Sequence, residues 1–570
     1  MKPSNRRQQP DDERLDTTEF GVTETLPILE TAALGMVTPA SRGSSVARNA
    51  VIVGAAFVLS RILGLVREIV IAAQFGTSAD YDAYVAAFRV PDLLFLVVMS
   101  GAFGSAFIPV FGGMLARQDS ANAWRLASSI LSYTLVILGV VALVTMLLAN
   151  QFINWFIAPG LAPEQAELAA RLTRILLFSP LLLGLGAAFK GMLEAQDQFA
   201  LSAYAPVFYN IGIVVGAVVL APTWGVYGLA AGVIAGAVMH ASIQAVGLWR
   251  GGMRLRFSLD RHVPGLATVL RLMGPRILGQ AAFQVNFIVL TNFSSRIGDN
   301  SVSALNYAFQ LFMLPYGVLA LSLSTVIFPL MARQYETGSI AEMKRTLGDA
   351  LGPLIFLTLP AAVGLYCFRV SIVQMLFEVG SFDQESTRLV SEALGYFAIG
   401  LGGTAVIEAI TRAYYAMQDT RTPVTVAVVS VGVNVVLSAL LVGPMGHGGL
   451  ALAISITATL EMLVLAAILR RRIGSFGRTL STSVVRTLGA ALLFSPLAFW
   501  MGDVMVVATD PSDGRSVSAY LLFGYGLITA VAAFFAIAFA LGAPEVPAII
   551  RRLPVVGHRL MPLIAPRYDE

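Results

Sequence analysis

Charge and cysteine are both scarce in this sequence. Only 13% of its 570 residues are charged and 56% are hydrophobic, whereas a soluble domain is about a quarter charged. This composition excludes an ordinary soluble protein and indicates a polytopic membrane protein. The single cysteine, Cys367, excludes an intrachain disulfide. The four histidines are scattered without metal-ligand spacing, so the sequence predicts no metal site and no cofactor.

Lysine is almost absent as well. It occurs only at Lys2, Lys190 and Lys344, and none of these lies in a glycine-rich phosphate-binding loop, which argues against ATP hydrolysis by this chain. The membrane potential or an ion gradient is then the natural source of energy. The positive charge is carried by arginine, and in a membrane protein its distribution indicates topology and not nucleic-acid binding.

Fourteen hydrophobic segments are long enough to cross a bilayer as helices. They are residues 51–73, 83–110, 126–149, 172–194, 201–221, 226–249, 265–294, 302–331, 349–369, 389–410, 423–443, 448–469, 484–502 and 518–541. Arginine is concentrated in alternate connections and acidic residues in the others, so the arginine-rich side is predicted to be cytoplasmic. An even number of segments puts both termini on that side. The sequence therefore predicts an all-α protein with 14 transmembrane helices.

The chain repeats itself at an offset of about 220 residues. Arg61-Ile-Leu-Gly64 recurs as Arg276-Ile-Leu-Gly279, and Gly225-Val-Tyr-Gly-Leu-Ala230 recurs as Gly446-His-Gly-Gly-Leu-Ala451. Both copies begin on the same side, which predicts two parallel six-helix lobes followed by two further helices. Transporters with parallel repeats bind substrate between the lobes. The predicted regions are a disordered cytoplasmic extension at 1–48, lobes at 49–250 and 251–472, the last two helices at 473–542, and a cytoplasmic tail at 543–570.

The first hydrophobic segment carries three charged residues, Arg61, Arg67 and Glu68. An ionised side chain at the bilayer centre costs roughly 2.5–3.5 kcal/mol, so such residues usually face a cavity or a partner. Arg89 adds a cation in the second segment, and Asp82 adds an anion at the start of that segment. Two interpretations stay open. One is a cationic interior for an anionic substrate, since arginine binds phosphate through paired hydrogen bonds; the other is internal pairing of Arg61 with Glu68 or of Arg89 with Asp82.

At these residues the chain resembles the MurJ (MviN) family of lipid II flippases, in the multidrug/oligosaccharidyl-lipid/polysaccharide exporter superfamily. The similarity extends from about residue 48 to residue 540, and its first motif is the most specific. The motifs are Ser60-Arg61-Ile-Leu-Gly64-Leu-Val-Arg67-Glu68, Asp82-Ala-Tyr84, Ala87-Phe-Arg89-Val-Pro91, Gly101-Ala-Phe-Gly-Ser-Ala-Phe-Ile-Pro109, Leu314-Pro-Tyr-Gly317 and Arg412-Ala-Tyr-Tyr-Ala-Met-Gln-Asp419-Thr-Arg-Thr-Pro423.

The resemblance implies a V-shaped, two-lobed fold with a central cationic cavity. It also implies movement of lipid II, an undecaprenyl-pyrophosphate-linked disaccharide pentapeptide, from the inner to the outer leaflet of the bacterial cytoplasmic membrane by alternating access. The last two helices would form a hydrophobic groove for the polyprenyl tail. Membrane lipids and the cell-wall synthesis machinery are the expected partners, and a monomer is the expected state.

The resemblance assigns roles to individual residues. It implies that Arg61 and Arg67 bind the pyrophosphate, and that Ser60 and Gly64 shape that site. Asp82 would be a functional acidic residue of the same lobe.

The second lobe adds Arg412, which matches a family arginine near the lateral opening through which the lipid enters. Some family members bind sodium, but here Asn286 and Asn434 are accompanied by no carboxylate, so a sodium site is doubtful. Glu408 and Glu461 are candidates for proton coupling, and Asn434 is a further coupling candidate. They are equally candidates for structural pairing with Arg412 or loop arginines.

The chain also departs from the family pattern. Well-studied members carry an arginine pair in the second segment, where this chain has Phe95 and Leu96. They carry an Asp-Arg pair and a glutamate in the eighth segment, where this chain has Phe309, Gln310 and Met313. Two central cations are therefore missing, and Arg89 or Arg276 is expected to compensate in part.

Two other functions stay open. One is export of a different polyprenyl-linked glycan or of an amphipathic drug. The other is a membrane glycan polymerase, which would need acid and base groups held in a pocket. Its candidates, Glu378, Asp383 and Glu385, lie in a short polar connection that shows no sign of a pocket. We therefore predict a transporter and not an enzyme.

Overall fold

The computed structural model describes residues 43–101, 107–508 and 517–551, and these residues form helices and their connections, without a strand. The predicted extension at 1–48 and tail at 543–570 fall largely outside the described residues. The helices, numbered along the chain, are α1 Gly43–Phe75, α2 Ala79–Gly101, α3 Phe107–Ala116, α4 Ser120–Leu147, α5 Pro163–Glu194, α6 Phe199–Trp224, α7 Val226–Arg250, α8 Leu266–Ser294, α9 Ser301–Glu336, α10 Ile340–Cys367, α11 Arg369–Phe377, α12 Gln384–Ile399, α13 Leu401–Ala416, α14 Arg421–Ile473, α15 Arg478–Ala508, α16 Val517–Ala540 and α17 Glu545–Arg551.

Nine of the described helices are long and apolar enough to cross a membrane, and α12 with α13, bent by 47°, make a tenth. The longest, α14, is two helices joined at Gly446, whose φ of 55° and ψ of −137° break the helical path. Where the chain is described, the predicted segments consist almost entirely of helical residues, although 389–410 is divided between α12 and α13 and both 423–443 and 448–469 lie in α14. The prediction of an all-helical membrane protein is thereby confirmed, while the total of fourteen spans stays a prediction.

The backbone shows the same repeat as the sequence. Three pairs of residues with positive φ are separated by 220 or 221 positions: Gln118 and Gly338, Asp197 and Gln418, Gly225 and Gly446. Within the last pair even ψ agrees, at −139° and −137°. Glycine is the residue that adopts such a conformation without strain, so its presence at both positions follows from the repeated turn.

The hydrophobic cores are distributed unevenly between the two ends of the molecule. One large core mixes side chains of the N-terminal half (residues 43–250) with those of the C-terminal half (residues 266–473). A second core lies in residues 107–269, and a third lies in residues 320–469. The halves therefore share their largest core at one end, while at the other end the second core includes only Leu266 and Val269 of the C-terminal half and the third core lies wholly in that half.

The end with the shared core, which we call the closed end, also brings backbone segments of both halves together. The Ser381 N–H donates to the Ala73 carbonyl at 2.8 Å, and the Thr77 and Ser386 hydroxyl oxygens lie 2.8 Å apart. A Cβ added to Gly380 would lie 2.3 Å from the Ala73 carbonyl oxygen. Because no side chain fits there, glycine at 380 permits this approach.

The last two helices pack on one face of the C-terminal half. A fourth core joins α10 to α15 and α16 through rings such as Phe356 and Phe534, whose centroids are 5.3 Å apart. Beside it lies an apolar cavity of about 560 Å³, lined by residues of α10, α12 and α15 that include Tyr366, Cys367 and Phe499. Whether a lipid tail occupies this region stays a prediction.

Candidate functional site

Charged residues of α1 and α2 lie where the two halves meet, and we call the region around Arg67 and Arg89 the central cavity. Arg67, Arg89 and Asp92 lie deep in the protein yet keep partial exposure, as side chains around a cavity do. Tyr209 of α6 lies near Arg67 and Asp92. The predicted charged interior therefore exists, and it holds anions as well as cations.

Arg67 is the centre of a hydrogen-bond network. Its Nε and Nη2 donate to Glu68 Oε1 at 3.2 and 2.5 Å, and its Nη1 donates to Asn210 Oδ1 at 3.1 Å. Asn210 Nδ2 in turn donates to the Ser60 carbonyl at 3.4 Å. The alternative pairing of Arg61 with Glu68 is thus wrong, because Glu68 Oε1 accepts its hydrogen bonds from Arg67, its neighbour in sequence. Gln310 of the C-terminal half reaches the same Glu68 oxygen at 3.5 Å.

Arg61 remains unpaired, with no hydrogen bond or ion pair to any residue that the structure describes. Its guanidinium lies against Gly317 of the C-terminal half, where an added Cβ would be 3.4 Å from Nη2. Its Cζ lies 5.4 Å from the Phe57 ring centroid. A Cβ added to Gly64, one turn along, would meet nothing within 4 Å. The side of α1 around Arg61 and Gly64 is therefore open to a ligand.

Arg89 and Asp82 do not pair with each other. Arg89 Nε donates to Thr291 Oγ1 at 2.8 Å, and its Cζ lies 5.6 Å from the Phe287 centroid. Asp82, 1% exposed, accepts a hydrogen bond from the Ser303 N–H at 2.7 Å, in the first turn of α9. A carboxylate at a helix N-terminus is stabilised by the helix dipole. Asp82 thus joins the halves at the closed end and does not lie with Arg61 and Arg67.

The predicted site residues of the C-terminal half are dispersed. Arg412, 2% exposed, binds Glu408 Oε1 through Nε at 3.1 Å and Nη2 at 2.7 Å. The Tyr316 hydroxyl donates to the other Glu408 oxygen at 3.0 Å. Of the two alternatives for Glu408, the geometry favours structural pairing with Arg412. Arg276 lies in α8, and its side chain is outside the described residues.

The remaining coupling candidates have local partners. Asn434 Oδ1 accepts a hydrogen bond from Ser438, one turn along α14, at 3.0 Å. Glu461, half-buried in the same helix, has Ser430 as its polar neighbour. Among the described residues no group of three or more His, Cys, Asp or Glu side chains could hold a metal ion.

Asp419, in the motif Arg412–Pro423, lies in the connection between α13 and α14. Partial burial raises the pKa of the Asp419 carboxyl, but hydrogen bonds from Thr422 and Arg472 outweigh it and leave that pKa below its ordinary value. Asp419 therefore stays ionised and ties the start of α14 to its last turn, where Arg472 lies.

Sequence reasoning missed several residues of the central cavity. Asn210, Thr291 and Phe287 contact Arg67 or Arg89, and none of them was predicted. Asn210 carried a usable signal, because an amide in the middle of an apolar helix needs a polar partner. Thr291 and Phe287 carried none, since both residue types are common in membrane helices.

Comparison with known proteins gives consistent matches over most of the chain. The family model described as "Lipid II flippase MurJ" matches residues 71–509. A probable lipid II flippase MurJ of Rhizobium meliloti (strain 1021) is 31% identical over 512 residues, which cover 88% of this chain and 94% of the relative. Lipid II flippase MurJ of Burkholderia cenocepacia is 33% identical over 456 residues, covering 78% and 87%.

Solved structures give the same result. A structure described as "Lipid II flippase MurJ, inward closed conformation" aligns with a TM-score of 0.70 and 25% identity, over 88% of this chain and all of the other. An inward-facing multidrug transporter of the MATE family aligns with a TM-score of 0.62 and 16% identity, over 73% and 95%. The second match shows a shared fold alone.

Proposed function

The chain belongs to the lipid II flippase MurJ family, and we propose that its central cavity holds the pyrophosphate of lipid II during transport. The protein is a transporter and not an enzyme. It moves lipid II across the membrane by alternating access, in agreement with the earlier prediction.

The observation that carries the proposed site is the state of Arg61. Its guanidinium is unpaired within the described structure, lies beside the open space at Gly64, and contacts Gly317 of the opposite half. An arginine binds a phosphate through two parallel, charge-assisted hydrogen bonds. A pyrophosphate bound there would touch both halves, which is what a substrate of alternating access must do.

Arg67 and Arg89 take supporting places in this proposal. Arg67 is held by Glu68 and Asn210. Its guanidinium would therefore be fixed in position before the lipid arrives. Arg89, held by Thr291, supplies a cation where relatives in the family carry others. Ser60 and Gly64 would leave room for the headgroup.

The arrangement in the membrane is part of the same proposal. We propose fourteen spans, two six-helix lobes at 49–250 and 251–472, and both termini in the cytoplasm. The connections at the closed end carry Asp80, Asp299 and Asp383, while those at the opposite end carry Arg125 and Arg333. Because arginine-rich connections are usually cytoplasmic, the closed end would face outward and the cavity would open inward.

A binding site for the polyprenyl tail of the lipid is proposed on the last two long helices, α15 and α16. The region at 473–542 would bind the polyprenyl chain, which is supported by the strongly exposed apolar side chains of α15 and α16, among them Leu492, Trp500 and Tyr525. Arg412 would act near the lateral opening only through Glu408, since its own side chain is buried.

Replacing Arg61 with alanine tests the site. A hydrogen bond to a charged group contributes about 1.5–3 kcal/mol, so transport should fall by roughly ten- to a hundredfold. The measurement uses a bacterium depleted of its own flippase and complemented by this chain, with outer-leaflet lipid II detected by an externally added enzyme that cleaves it. The matched control is Arg345→Ala, whose side chain is 84% exposed and which should rescue fully.

Two outcomes would contradict the proposal. Full rescue by a normally inserted Arg61→Ala protein would remove Arg61 from the site. No rescue by well-inserted wild type would favour a different polyprenyl-linked glycan as substrate, because Phe95, Leu96 and Gln310 stand where relatives carry charge.

A further inference from the structure

The apolar cavity between α10, α12 and α15, which we call the second cavity, is lined by no residue of α1 or α2. Its volume of about 560 Å³ is within the range of roughly 300–1,000 Å³ that is typical of ligand sites. Two irregularities shape its walls: α12 ends at Ile399, where the chain bends by 47° into α13, and Pro496 lies inside α15. The third wall is the last part of α10, from Ala362 to Cys367.

The second cavity suits a hydrocarbon chain and not water. Its lining is almost entirely apolar, whereas a buried water molecule needs about two to four polar partners. Three of the side chains around it, Tyr366, Ile399 and Phe499, are 38%, 51% and 50% exposed. The cavity is therefore open at the surface of the helices, where the surroundings in a membrane are lipid chains.

Helix geometry gives the depth of the second cavity in the bilayer. At a rise of 1.5 Å per residue, its residues in α10 lie roughly 33–40 Å from the start of that helix at Ile340. Its residues in α15 lie roughly 25–32 Å from the start at Arg478. The hydrocarbon core is about 30 Å thick, so the cavity belongs to the leaflet far from these arginine-rich ends. In the proposed orientation this is the outer leaflet.

Residues of opposite charge meet at one end of the second cavity, which we call its mouth. A Cβ added to Gly502 would lie 2.4 Å from the Cys367 carbonyl oxygen, so glycine at 502 permits the end of α10 to touch α15. This contact brings together Arg369, the first residue of α11, and Asp503 of α15, which are the charged neighbours of the Cys367 thiol. The mouth therefore presents a cation and an anion side by side.

Arg369 is held in place but keeps part of its hydrogen-bonding capacity. Its Nη1 donates to the Tyr366 carbonyl at 2.5 Å, and its Cζ lies 4.8 Å from the Tyr366 ring centroid. A Cβ added to Gly395 would lie 2.9 Å from Arg369 Cδ, so the stem of the side chain packs against α12. Within the described part of the chain, neither Arg369 Nε and Nη2 nor the Asp503 carboxylate has a hydrogen-bond partner. Both groups are therefore available to a headgroup.

We propose that the second cavity binds one acyl chain of a membrane phospholipid with a zwitterionic headgroup, whose phosphate contacts Arg369 and whose ammonium group contacts Asp503. Phosphatidylethanolamine has this chemistry, because its phosphate accepts charge-assisted hydrogen bonds from arginine and its ammonium donates them to a carboxylate. An anionic lipid such as phosphatidylglycerol would meet the same arginine but would be repelled by Asp503.

This phospholipid site is separate from the proposed sites for lipid II. Its residues are not those of the central cavity, and the polyprenyl tail, proposed for the exposed faces of α15 and α16, is much larger than the second cavity. A chain bound there would contact three helices at once, beside the bend between α12 and α13. Because a ligand that binds only the folded state stabilises it, the phospholipid should also raise the thermal unfolding temperature of the protein.

The experiment uses the purified full-length protein in a nonionic detergent, supplied with phosphatidylethanolamine that carries a photoactivatable diazirine in one acyl chain. After irradiation, mass spectrometry identifies the labelled peptides, and in wild type we expect labels in 362–367 and 495–499. Ala362→Trp, which fills the cavity, should reduce this labelling by about tenfold. The matched control is Ala532→Trp, at an exposed position of α16, which should leave the labelling unchanged.

Competition with unlabelled lipids tests the headgroup. Phosphatidylethanolamine should displace the probe from wild type better than phosphatidylglycerol or phosphatidylcholine. Arg369→Gln should weaken phosphatidylethanolamine by about tenfold, because a hydrogen bond between charged groups is lost. Asp503→Asn should shift the preference toward phosphatidylglycerol, because the repelling charge is removed. Arg388→Gln, whose side chain is 60% exposed at the closed end, should behave as wild type.

Three results would overturn the inference. Wild-type protein without labels in 362–367 and 495–499 would show that no acyl chain enters the cavity, and this result needs no variant. Displacement of the probe by undecaprenyl phosphate and not by phosphatidylethanolamine would assign the cavity to the polyprenyl tail. Equal competition by the three phospholipids, unchanged in Arg369→Gln, would remove the headgroup contacts. The transport assay of Arg61→Ala tests the proposed function independently of all three.

Discussion

A chain in which Thr77 and Ser386 are both replaced by cysteine is expected to lose transport on oxidation and to regain it on reduction. The two hydroxyl oxygens lie 2.8 Å apart and join the halves at the closed end. Sulfur atoms in these places need only a small movement to reach the S–S distance of about 2.05 Å. Because alternating access requires the closed end to open, a disulfide there should reduce transport at least tenfold.

The measurement uses a Cys367→Ser background, which removes the native thiol. Outer-leaflet lipid II is assayed in cells with and without reductant. The cross-link itself is detected by protease cleavage at a site inserted in the exposed connection 251–262, since linked halves stay together on a gel until reduced. The bacterial periplasm is oxidising and the cytoplasm is not, so spontaneous formation of the bond would also support the outward orientation of the closed end.

A second cysteine pair provides the control. Thr387 and Glu378 touch at 2.5 Å but belong to the same half, so a disulfide between them does not join the halves and should leave transport nearly unchanged. Transport that continues at the wild-type rate with the Thr77–Ser386 pair fully cross-linked would show that this end does not open during the cycle.

Removal of the Glu408 carboxylate is expected to be the most damaging single change to stability. Arg412 is 2% exposed and donates two hydrogen bonds to Glu408 Oε1 inside the protein. Breaking a buried ion pair by removing one partner costs about 3–5 kcal/mol, because the remaining charge has lost its compensation. Glu408→Ala should therefore lower the free energy of unfolding by about that amount.

The measurement is thermal unfolding of purified protein in detergent, compared with Glu167→Ala. Glu167 pairs with Arg171 where both side chains are more than half exposed, and exposed pairs contribute only about 0–1 kcal/mol. The double change Glu408→Ala with Arg412→Leu should recover part of the loss, since it removes the buried positive charge as well. Equal effects of Glu408→Ala and Glu167→Ala would show that the buried pair does not stabilise the fold.

The helical architecture could be predicted because hydrophobicity and length suffice to find helices that cross a bilayer. The repeat could be predicted too, because turns that need glycine, such as those at Gly225 and Gly446, leave the same residue at both positions. A functional role for Arg61 and Arg67 in α1 was predicted from the free-energy cost of placing charge in the membrane. These arguments use only the residues in the sequence and their spacing, and none requires knowing which helices contact each other.

Pairing between side chains could not be predicted in the same way. Helical spacing left a pairing of Glu68 with Arg61 open, but Glu68 accepts its hydrogen bonds from Arg67, the residue before it. Asp82 was expected beside the cations, yet it caps a helix that begins 221 residues later in the sequence. Which helix ends meet is decided by tertiary packing, and a single sequence contains no direct record of it.

The uneven distribution of the cores gives the transport cycle an asymmetric energy profile. Opening the closed end must separate stacked rings such as Tyr81 and Tyr307, whose centroids are 5.1 Å apart, and exposing a large apolar side chain costs roughly 1.5–3 kcal/mol. Between the opposite ends the shared apolar packing is smaller, because the second core includes only Leu266 and Val269 of the C-terminal half and the third core lies within that half. In the proposed orientation, opening the closed end is the step in which lipid moves outward, and it is the step that exposes more apolar surface. That is also the step in which an inside-negative potential drives the charged pyrophosphate, by about 2.3 kcal/mol per charge for each 100 mV.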